Sequence, residues 1–444
     1  MFAQDDFRVS STLTLNLGLR WEYTQPVYEV ADREINVNIY TGAVSQAGKN
    51  GASRALFNPY YKQFEPKLGF AWSPEFFGRK KFVVRGGYGI TSFMEGTGAN
   101  LRLPLNPPFF FESDVSYPTG APGTISTGFN GLIARNVLQG QIRAWNPDLR
   151  PAFIQQYNFT TEYEIAPSMS LNVAYVGQKG THLVDPREGN QSRVPSATNL
   201  QANRPLYGVL PLVTQISYTD SSATMNYNAL QASMRKRYSG GLEFLASYTL
   251  SKTLSDNLGY YGSGGVDGQS AYWQNAYDRR GDYGPAFFDA LHNFAFSGSY
   301  DLPFGRGRKY GSNTNRFLDS AFGGWIMGTV YSTHSGFPIT FTSPNNSNVG
   351  AGVCAYGVQG TNQFGNTGVG TERAPSFSNV DHTLSKRFNV TERKYFALRA
   401  DFFNAFNGVS FNAPDRTTNN STFGLITSQI NQPRNVQLAF KFFF

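Results

Sequence analysis

The segment TLTLNLGLRWEY, Thr12 to Tyr23, alternates apolar and polar residues throughout its length. Successive side chains of a β-strand point to opposite faces, so a period of two gives one apolar face and one polar face. Strands of globular proteins have a typical length of about 5 or 6 residues, roughly half the length of this segment. The segment therefore predicts a long strand whose two faces meet different environments.

The same alternation recurs along the chain, and aromatic residues, at 15%, are as frequent as charged ones. This composition favours strands over helices. Two further segments, NVDHTLSKRF and WIMGTVYSTH, show no clear alternation, so the sequence assigns them no faces. No run approaches the roughly 18 apolar residues that a membrane-spanning helix needs. The clearest recurrences are FEPKLGFAW, FVVRGGYGI, SLNVAYV, GLEFLASYTLSK, YFALRADFFNAF and NVQLAFKFFF.

Connections between these segments alternate between short and long. Short links lie near Ser10, Phe77, Pro167, Gly240 and Glu392, and a longer one runs from Pro303 to Gly324. This alternation predicts an all-β, antiparallel transmembrane β-barrel with about 13 strands, short periplasmic turns and long extracellular loops. The long polar segments are Gln25 to Gln63, Glu95 to Ala152, Val184 to Met225, Ser255 to Ala290, Ser343 to Phe377 and Gly408 to Arg434.

Charged residues opposite the apolar faces are predicted to face the barrel lumen. An Arg or Lys on the lipid face costs about 2 to 4 kcal/mol at mid-membrane, which favours the lumenal orientation. In the lumen these side chains contact a plug or a solute, or pair with one another across strands; pairing is the simpler interpretation. The predicted lumen-facing residues are Arg20, Glu22, Arg85, Arg235, Glu243, Arg399, Asp401 and Lys441.

Large rings near strand ends are predicted to lie at the membrane interfaces. Trp21, Tyr23, Trp72 and Trp325 occupy such positions, and amphipathic rings prefer the headgroup level. They need no ligand.

Motifs for catalysis, cofactors or metals are weak. His182, His292, His334 and His382 lie on separate segments without metal-ligand spacing, and we interpret each as a strand-end or loop residue. The sequence contains no G-x-S-x-G motif, and its Gly259 to Gly268 stretch lacks a P-loop pattern. We therefore predict no enzyme activity, no cofactor and no metal, and interpret Cys354 as a small buried or loop residue.

Charge patterning gives two further predictions. A net charge of +8 without a basic cluster argues against nucleic-acid binding. One external loop concentrates carboxylates whose spacing matches no known calcium loop. We interpret these residues as solvated loop charge, with calcium binding as the alternative: Asp256, Asp267, Asp278, Asp282 and Asp289.

Several segments together resemble the barrel of TonB-dependent outer-membrane receptors, in particular the Oar-like type that carries a carboxypeptidase-regulatory-like domain. The resemblance runs from Met1 to Phe444 in family order. The segments that carry it include FAQDDFRVSSTLTLNLGLRWEY, PKLGFAWSP, VVRGGYGI, QQYNFTTEYEI, AYVGQKGTHL, NYNALQASMRKRYSGGLEFLASYTLSKTLSD, LPFGRGRKY, GGWIMGTVYSTHSGFPIT, LRADFFNAFN and LAFKFFF.

This resemblance implies a barrel of about 22 strands around a plug. Residues 1–444 would then form a single partial barrel domain, without the signal peptide, regulatory-like domain, plug and first strands. It also implies uptake of an unidentified solute, coupled to the TonB complex only through those missing N-terminal parts. Phe440, Phe442 and Phe444 resemble the terminal signal that the barrel-assembly machinery reads. The expected location is the outer membrane, in contact with its lipid.

Two alternatives remain open at this point. A secreted β-rich adhesin or glycan-binding module would pack its alternating rings between two sheets. An unplugged, porin-like channel would share the barrel but conduct solutes passively.

Overall fold

The computed structural model describes residues 1–76, 78, 81–94, 102–110, 120, 124, 126, 137–194, 201–257, 273–342, 364–391 and 393–444. Cys354, Asp267 and the stretch Gly259 to Gly268 lie outside the described residues. Within the described part, no helix is long and apolar enough to span a membrane. Helical structure among these residues is limited to the short α1 (Arg316–Phe322) and the 3-10 turns Leu103–Leu105 and Arg279–Asp282.

Strands make up the rest of the regular structure. They are β1 (Phe2–Arg8), β2 (Leu13–Glu22), β3 (Ile35–Val37), β4 (Val44–Gln46), β5 (Gln63–Trp72), β6 (Phe82–Phe93), β7 (Gly140–Trp145), β8 (Ala152–Ala166), β9 (Met169–Glu188), β10 (Val213–Ser239), β11 (Leu242–Ser255), β12 (Gly284–Pro285), β13 (His292–Asp301), β14 (Trp325–His334), β15 (Pro338–Ile339), β16 (Glu372–Arg373), β17 (Phe377–Asn389), β18 (Tyr395–Phe403) and β19 (Asn435–Phe443).

One continuous antiparallel wall contains most of these strands. The main sheet has 15 strands, of which β7 and β12 lie off the path, so thirteen follow one another as β1-β2-β5-β6-β8-β9-β10-β11-β13-β14-β17-β18-β19. Every neighbouring pair along this path is antiparallel. The predicted all-β antiparallel fold and its count of about 13 strands are confirmed. The path is open, with β1 and β19 at its two edges.

Register joins the apolar faces of successive strands into one surface. Directly opposed residues share a face of a sheet, and Leu17, Leu68, Tyr88 and Tyr157 oppose one another across β2, β5, β6 and β8. At the far edge, Leu398 opposes Phe440 and Phe396 opposes Phe442. We call this surface the aromatic face and its reverse the polar face. Pairing also assigns faces to β14 (WIMGTVYSTH) and β17, which contains NVDHTLSKRF, the two segments without clear alternation. Met327 of β14 and Leu384 of β17 oppose each other on the aromatic face.

Glycines on the aromatic face make room for rings of the neighbouring strand. A Cβ at Gly86 would overlap the ring of Phe70, and one at Gly177 would overlap the ring of Tyr157. Both glycines lie directly opposite the ring they accommodate. A ring that covers a cross-strand glycine shields the exposed backbone and fixes register. These glycines therefore contribute to the packing of the wall.

Two central strands extend beyond the wall at its long-loop end. β8 pairs with β9 only as far as Thr181, and β11 pairs with β10 only from Met225 onward. Past these limits β9 and β10 pair with each other, and β7 adds to β10 in parallel. The long segments predicted as polar loops thus contain ordered strands. Alternation alone missed them because this part of β10 is rich in Ser and Thr, and this part of β9 contains Asp185, Pro186, Arg187 and Glu188 in succession.

Candidate functional site

The polar face carries all eight charges that the sequence placed opposite the apolar face. Register puts Arg20, Arg85 and Glu243 on the side opposite the aromatic residues of β2, β6 and β11. It does the same for Arg235 on β10, for Arg399 and Asp401 on β18 and for Lys441 on β19. Glu22, which opposes Gln63, shares the face of Arg20.

Most of these charges pair with each other or with neighbouring strands. Arg20 lies 2.8 Å from Glu22 and 3.8 Å from Glu65, whose side chain is 2% exposed. Glu65 in turn accepts hydrogen bonds of 2.8 and 2.6 Å from the backbone and hydroxyl of Ser92. Arg85 pairs with Glu162 at 3.0 Å. The sequence did not single out Glu65 and Glu162, because cross-strand register decides which carboxylate faces which guanidinium.

The terminal strands repeat this pattern of pairing. Arg399 Nε lies 2.8 Å from Asp401, which also accepts a 2.6 Å hydrogen bond from Thr383. Glu243 accepts a 3.0 Å bond from Ser299 on the next strand. Arg235 and Lys441 have no ion-pair partner among the described residues. Cross-strand contacts that stiffen the wall therefore account for four of the eight predicted residues, Arg20, Arg85, Glu243 and Asp401, whereas Glu22 and Arg399 pair within their own strands.

The four predicted interface rings lie at the two ends of the wall. Trp21 and Tyr23 lie at the long-loop end. There Tyr23 stacks on Tyr61, with ring centres 4.9 Å apart, and Trp21 Nε1 donates a 2.8 Å hydrogen bond to the Tyr61 carbonyl. Trp72 and Trp325 stand at the short-link end. The strand between Leu13, which opposes Trp72, and Trp21 is about 27 Å long at 3.4 Å per residue. That spacing fits an apolar band about 25 Å tall with tilted strands.

At the short-link end, Lys386 is a cation on the aromatic face. Its ammonium donates a 2.5 Å hydrogen bond to the Ser320 carbonyl at the end of α1, and it lies 5.7 Å from the Trp325 ring centre. A long side chain can snorkel, which means that its aliphatic stem lies along an apolar surface while its charged end reaches a polar group. Lys386 is therefore compatible with a lipid-facing surface at this position.

The external ends of the strands pack into an assembly with its own core. Trp145 is 2% exposed and packs against Phe57, with ring centres 5.3 Å apart. A second cluster gathers Ile142 and Ala144 of β7 and Val213 and Ile216 of β10. Arg187 bridges to Asp220 between β9 and β10. We give the name external assembly to β7, to the parts of β9 and β10 that extend beyond the wall, to β12, β15 and β16, and to the loops that pack against them.

Carboxylates predicted as solvated loop charge lie inside the external assembly. Asp256, Asp282 and Asp289 are 2%, 3% and 1% exposed, so this prediction was wrong for them. Asp256 pairs with Arg279 at 3.3 Å, and Asp289 pairs with Arg373 at 2.5 Å. Asp278 stays exposed and caps the 3-10 turn that follows it. Burial arises from tertiary packing of long loops, which the local sequence does not report.

Metal ligation finds no support in the described part of the chain, where no three His, Cys, Asp or Glu side chains converge into a potential metal site. Two histidines differ from the prediction, because His182 lies within β9 and His382 within β17. His382 hydrogen-bonds Thr329 at 3.0 Å and contacts the Phe406 ring edge-on. His292 begins β13 and His334 ends β14, as predicted.

Burial gives Asp282 an unusual proton affinity. Its carboxylate accepts hydrogen bonds from the backbone N–H of Gln274, at 3.1 and 3.3 Å, yet desolvation is the larger effect and raises its pKa to about 7. Nearby Asp256 and Asp278 raise the pKa further. By contrast, exposed Asp415 accepts bonds from Thr422, Thr417 and Asn420, which lower its pKa to about 2.

Raising the pH is expected to loosen the segment around Asp282. Because its folded-state pKa lies above the ordinary value, unfolding releases a proton, and stability falls as pH rises from about 4 through about 7. Hydrogen exchange of peptides spanning residues 273–289 should be about tenfold faster at pH 8 than at pH 5, after correction for intrinsic rates. Asp282→Asn should reduce this dependence, whereas Asp415→Asn should leave it unchanged. Equal protection at both pH values would contradict the assignment.

An apolar cavity of about 520 Å³ opens at the external end of the polar face. His334 opposes Phe377 across β14 and β17, and their rings stack with centres 5.2 Å apart. Phe337 lies 5.0 Å from the same imidazole. Phe287 and Phe411 complete the aromatic lining, contributed by two different loops. We call this the mouth cavity; an apolar pocket of this size is typical of small-molecule sites.

Comparison with known proteins identifies the type of wall. A family model described as an outer membrane beta barrel domain matches residues 1–356 and 351–437. The outer membrane transporter YddB from Escherichia coli superposes with a TM-score of 0.54 at 11% identity, over 100% of this chain and 44% of that one. No curated protein matches the sequence.

Two receptor structures superpose less closely. The ferric-catecholate import receptor Fiu from Escherichia coli K12 gives a TM-score of 0.46 at 11% identity, over 100% of this chain and 44% of that chain. The ferripyoverdine receptor of the outer membrane of Pseudomonas aeruginosa gives 0.46 at 13% identity, over 100% and 38%. The chain thus spans less than half the length of these solved proteins.

Proposed function

Because this chain belongs to the outer membrane β-barrel domain family, and so to the outer membrane, we propose that it forms part of a receptor and transporter for an external solute. The proposed uptake is TonB-dependent and non-enzymatic. The observation that carries this proposal is the two-faced wall, whose aromatic face runs from β2 to β19 while charges pair on its reverse. Such a division fits lipid on one side and a polar lumen on the other.

Residues 1–444 are proposed to be a single partial barrel of a longer receptor of the Oar-like type. In the part of the chain that the structure describes, no strand neighbours the outer edge of β1 or that of β19. Unsatisfied backbone N–H and C=O groups do not persist in hydrocarbon, so both edges require further strands. Coupling to the TonB complex would then reside in a plug and TonB box outside this segment.

Within this proposal, the predicted residues acquire roles. Arg20, Glu22, Arg85 and the other charges of the polar face line the lumen, where Arg235 and Lys441 are free to contact a plug or a solute. Trp21, Tyr23, Trp72 and Trp325 anchor the wall at the two interfaces. The mouth cavity lies where an arriving solute first meets the lumenal side.

Fractionation of cells that express the full-length gene product tests the proposal. The protein is expected in the outer membrane, extractable only with detergent, and with heat-modifiable mobility on gels. Recovery as a soluble, monodisperse protein in the periplasm or medium would contradict the proposal and favour a secreted adhesin. Steady conductance across a planar bilayer by the intact protein would instead favour a porin-like channel.

The C-terminal rings are proposed to act as the assembly signal. In β19, Phe440 and Phe442 pack on Phe396 at 5.2 and 4.6 Å, whereas Phe444 is 92% exposed. Phe444 therefore contributes little packing and is available to the barrel-assembly machinery. Deleting Phe444 is expected to lower the outer-membrane level several-fold, as an assembly defect does when unassembled chains are degraded. Val409→Ala, which also changes an exposed apolar residue, serves as the control and should leave the level unchanged.

A further inference from the structure

A second cavity, of about 420 Å³, lies on the polar face at the centre of the wall. Two rows of side chains cross it from strand to strand. Gln178, Tyr227 and Thr253 oppose one another on β9, β10 and β11. Gln231, Thr249 and Asn293 form the second row on β10, β11 and β13. Four adjacent strands therefore present one contiguous set of amide and hydroxyl groups.

Seven of the ten residues that line this cavity have an amide or hydroxyl group, and none of the ten is charged. Elsewhere on the same face, polar groups satisfy one another, as in the pairs of Arg85 with Glu162 and of Asp401 with Thr383. Here the side chains make no hydrogen bond to any group in the described part of the chain; the set is Gln178, Tyr227, Gln231, Thr249 and Asn293. Their donors and acceptors remain available to a ligand.

An aromatic ring borders the same space. Phe288 lines the cavity, is 53% exposed, and meets Phe287 edge-on with ring centres 5.0 Å apart. Phe287 belongs to the lining of the mouth cavity. The pair therefore separates the two cavities, with one ring on each side. A solute that passes from the mouth to the wall meets an apolar surface first and a hydrogen-bonding surface next.

We propose that the cavity between β9, β10, β11 and β13 binds a neutral saccharide, an inference that rests on the transport function proposed above. Sugar hydroxyls both donate and accept hydrogen bonds, as amide and hydroxyl side chains do. The C–H face of a sugar ring packs on an exposed aromatic ring such as Phe288. A charged metal chelate would find no countercharge there to offset the loss of its hydration.

Glycan binding by the full-length protein in detergent tests this inference. The probes are an array of neutral oligosaccharides, followed by titration calorimetry with the best ligand. Gln231→Ala and Asn293→Ala should each weaken binding about five- to tenfold, the effect of one lost hydrogen bond. Asn172→Ala is the matched control, because Asn172 lies on the same polar face of β9 but outside the cavity. It should leave affinity unchanged.

Three results would overturn the inference. Absence of binding on the array would exclude the saccharide class, and binding that both Gln231→Ala and Asn293→Ala retain would exclude the location. Binding of a ferric catecholate or a neutral peptide in place of a glycan, lost in Gln231→Ala, would exclude the ligand class. Each result is distinguishable from failure of the transport proposal, because that failure appears as the absence of the protein from the outer membrane.

Discussion

Arg373→Ala is expected to lower the stability of the external assembly by about 3 kcal/mol, near the lower end of the range for removing one partner of a buried ion pair. Asp289 is 1% exposed and accepts hydrogen bonds from Arg373, at 2.5 Å, and from the backbone of Thr253, at 2.6 Å. Arg373 also donates to the carbonyls of Asp289 and Gly336. The lower end applies because the Arg373 side chain is 31% exposed.

Limited proteolysis and hydrogen exchange of the full-length protein measure this effect locally. Arg399→Ala is the control, because it breaks a pair whose arginine is 59% exposed and should cost at most about 1 kcal/mol. Replacing both partners, as Arg373→Met with Asp289→Leu, should restore only part of the loss, since no buried charge is then left without a partner but the buried N–H of Thr253 loses its acceptor. Equal protection of residues 284–291 in wild type and Arg373→Ala would contradict the role of this pair.

The second large effect is expected when a charge is placed on the side of the wall that faces lipid. Phe159→Arg is expected to lower the free energy of unfolding from lipid by about 2 to 4 kcal/mol, the cost of an arginine on the lipid face near the midplane. Phe159 is 50% exposed and lies on the aromatic face between Gly86 and Tyr175. No charged residue directly opposes it to compensate.

The adjacent residue supplies a matched control. Asn158 lies on the polar face of the same strand, opposite Gly87 and Val176. Asn158→Arg introduces the same side chain at nearly the same depth, and should change the unfolding free energy by less than about 1 kcal/mol if that face is hydrated. Denaturant unfolding in liposomes compares the two variants. A larger loss for Asn158→Arg would reverse the assignment of the faces.

Strand number and the division of faces were predictable because both depend on local patterns. Apolar alternation in segments such as Leu13 to Glu22 reports strand direction and face without any long-range information. Short links between strands leave one topology, the antiparallel meander observed. The charges on the polar face followed from the same alternation.

Partners within the wall were not predictable in the same way. Arg85 meets Glu162 across 77 positions of sequence, and the choice depends on the register between β6 and β8. Long loops were the larger failure. Their Ser, Thr, Asp and Gly content resembles solvent-exposed chain, yet β9 and β10 continue through them, Ile142 and Ile216 are buried in one cluster, and Asp289 is buried against Thr253 and Arg373.

The sequence by itself determined the all-β class, the two-faced strands, the location of the charges and the resemblance to outer-membrane receptors. These properties depend on side-chain periodicity, which is a property of each strand alone. Only the tertiary structure decided which carboxylates are buried, which rings lie over glycines, and which uncharged side chains share the cavity between β9 and β13. Those outcomes arise where residues far apart in sequence meet, and the burial there sets both the proton affinity of Asp282 and the chemistry open to a solute.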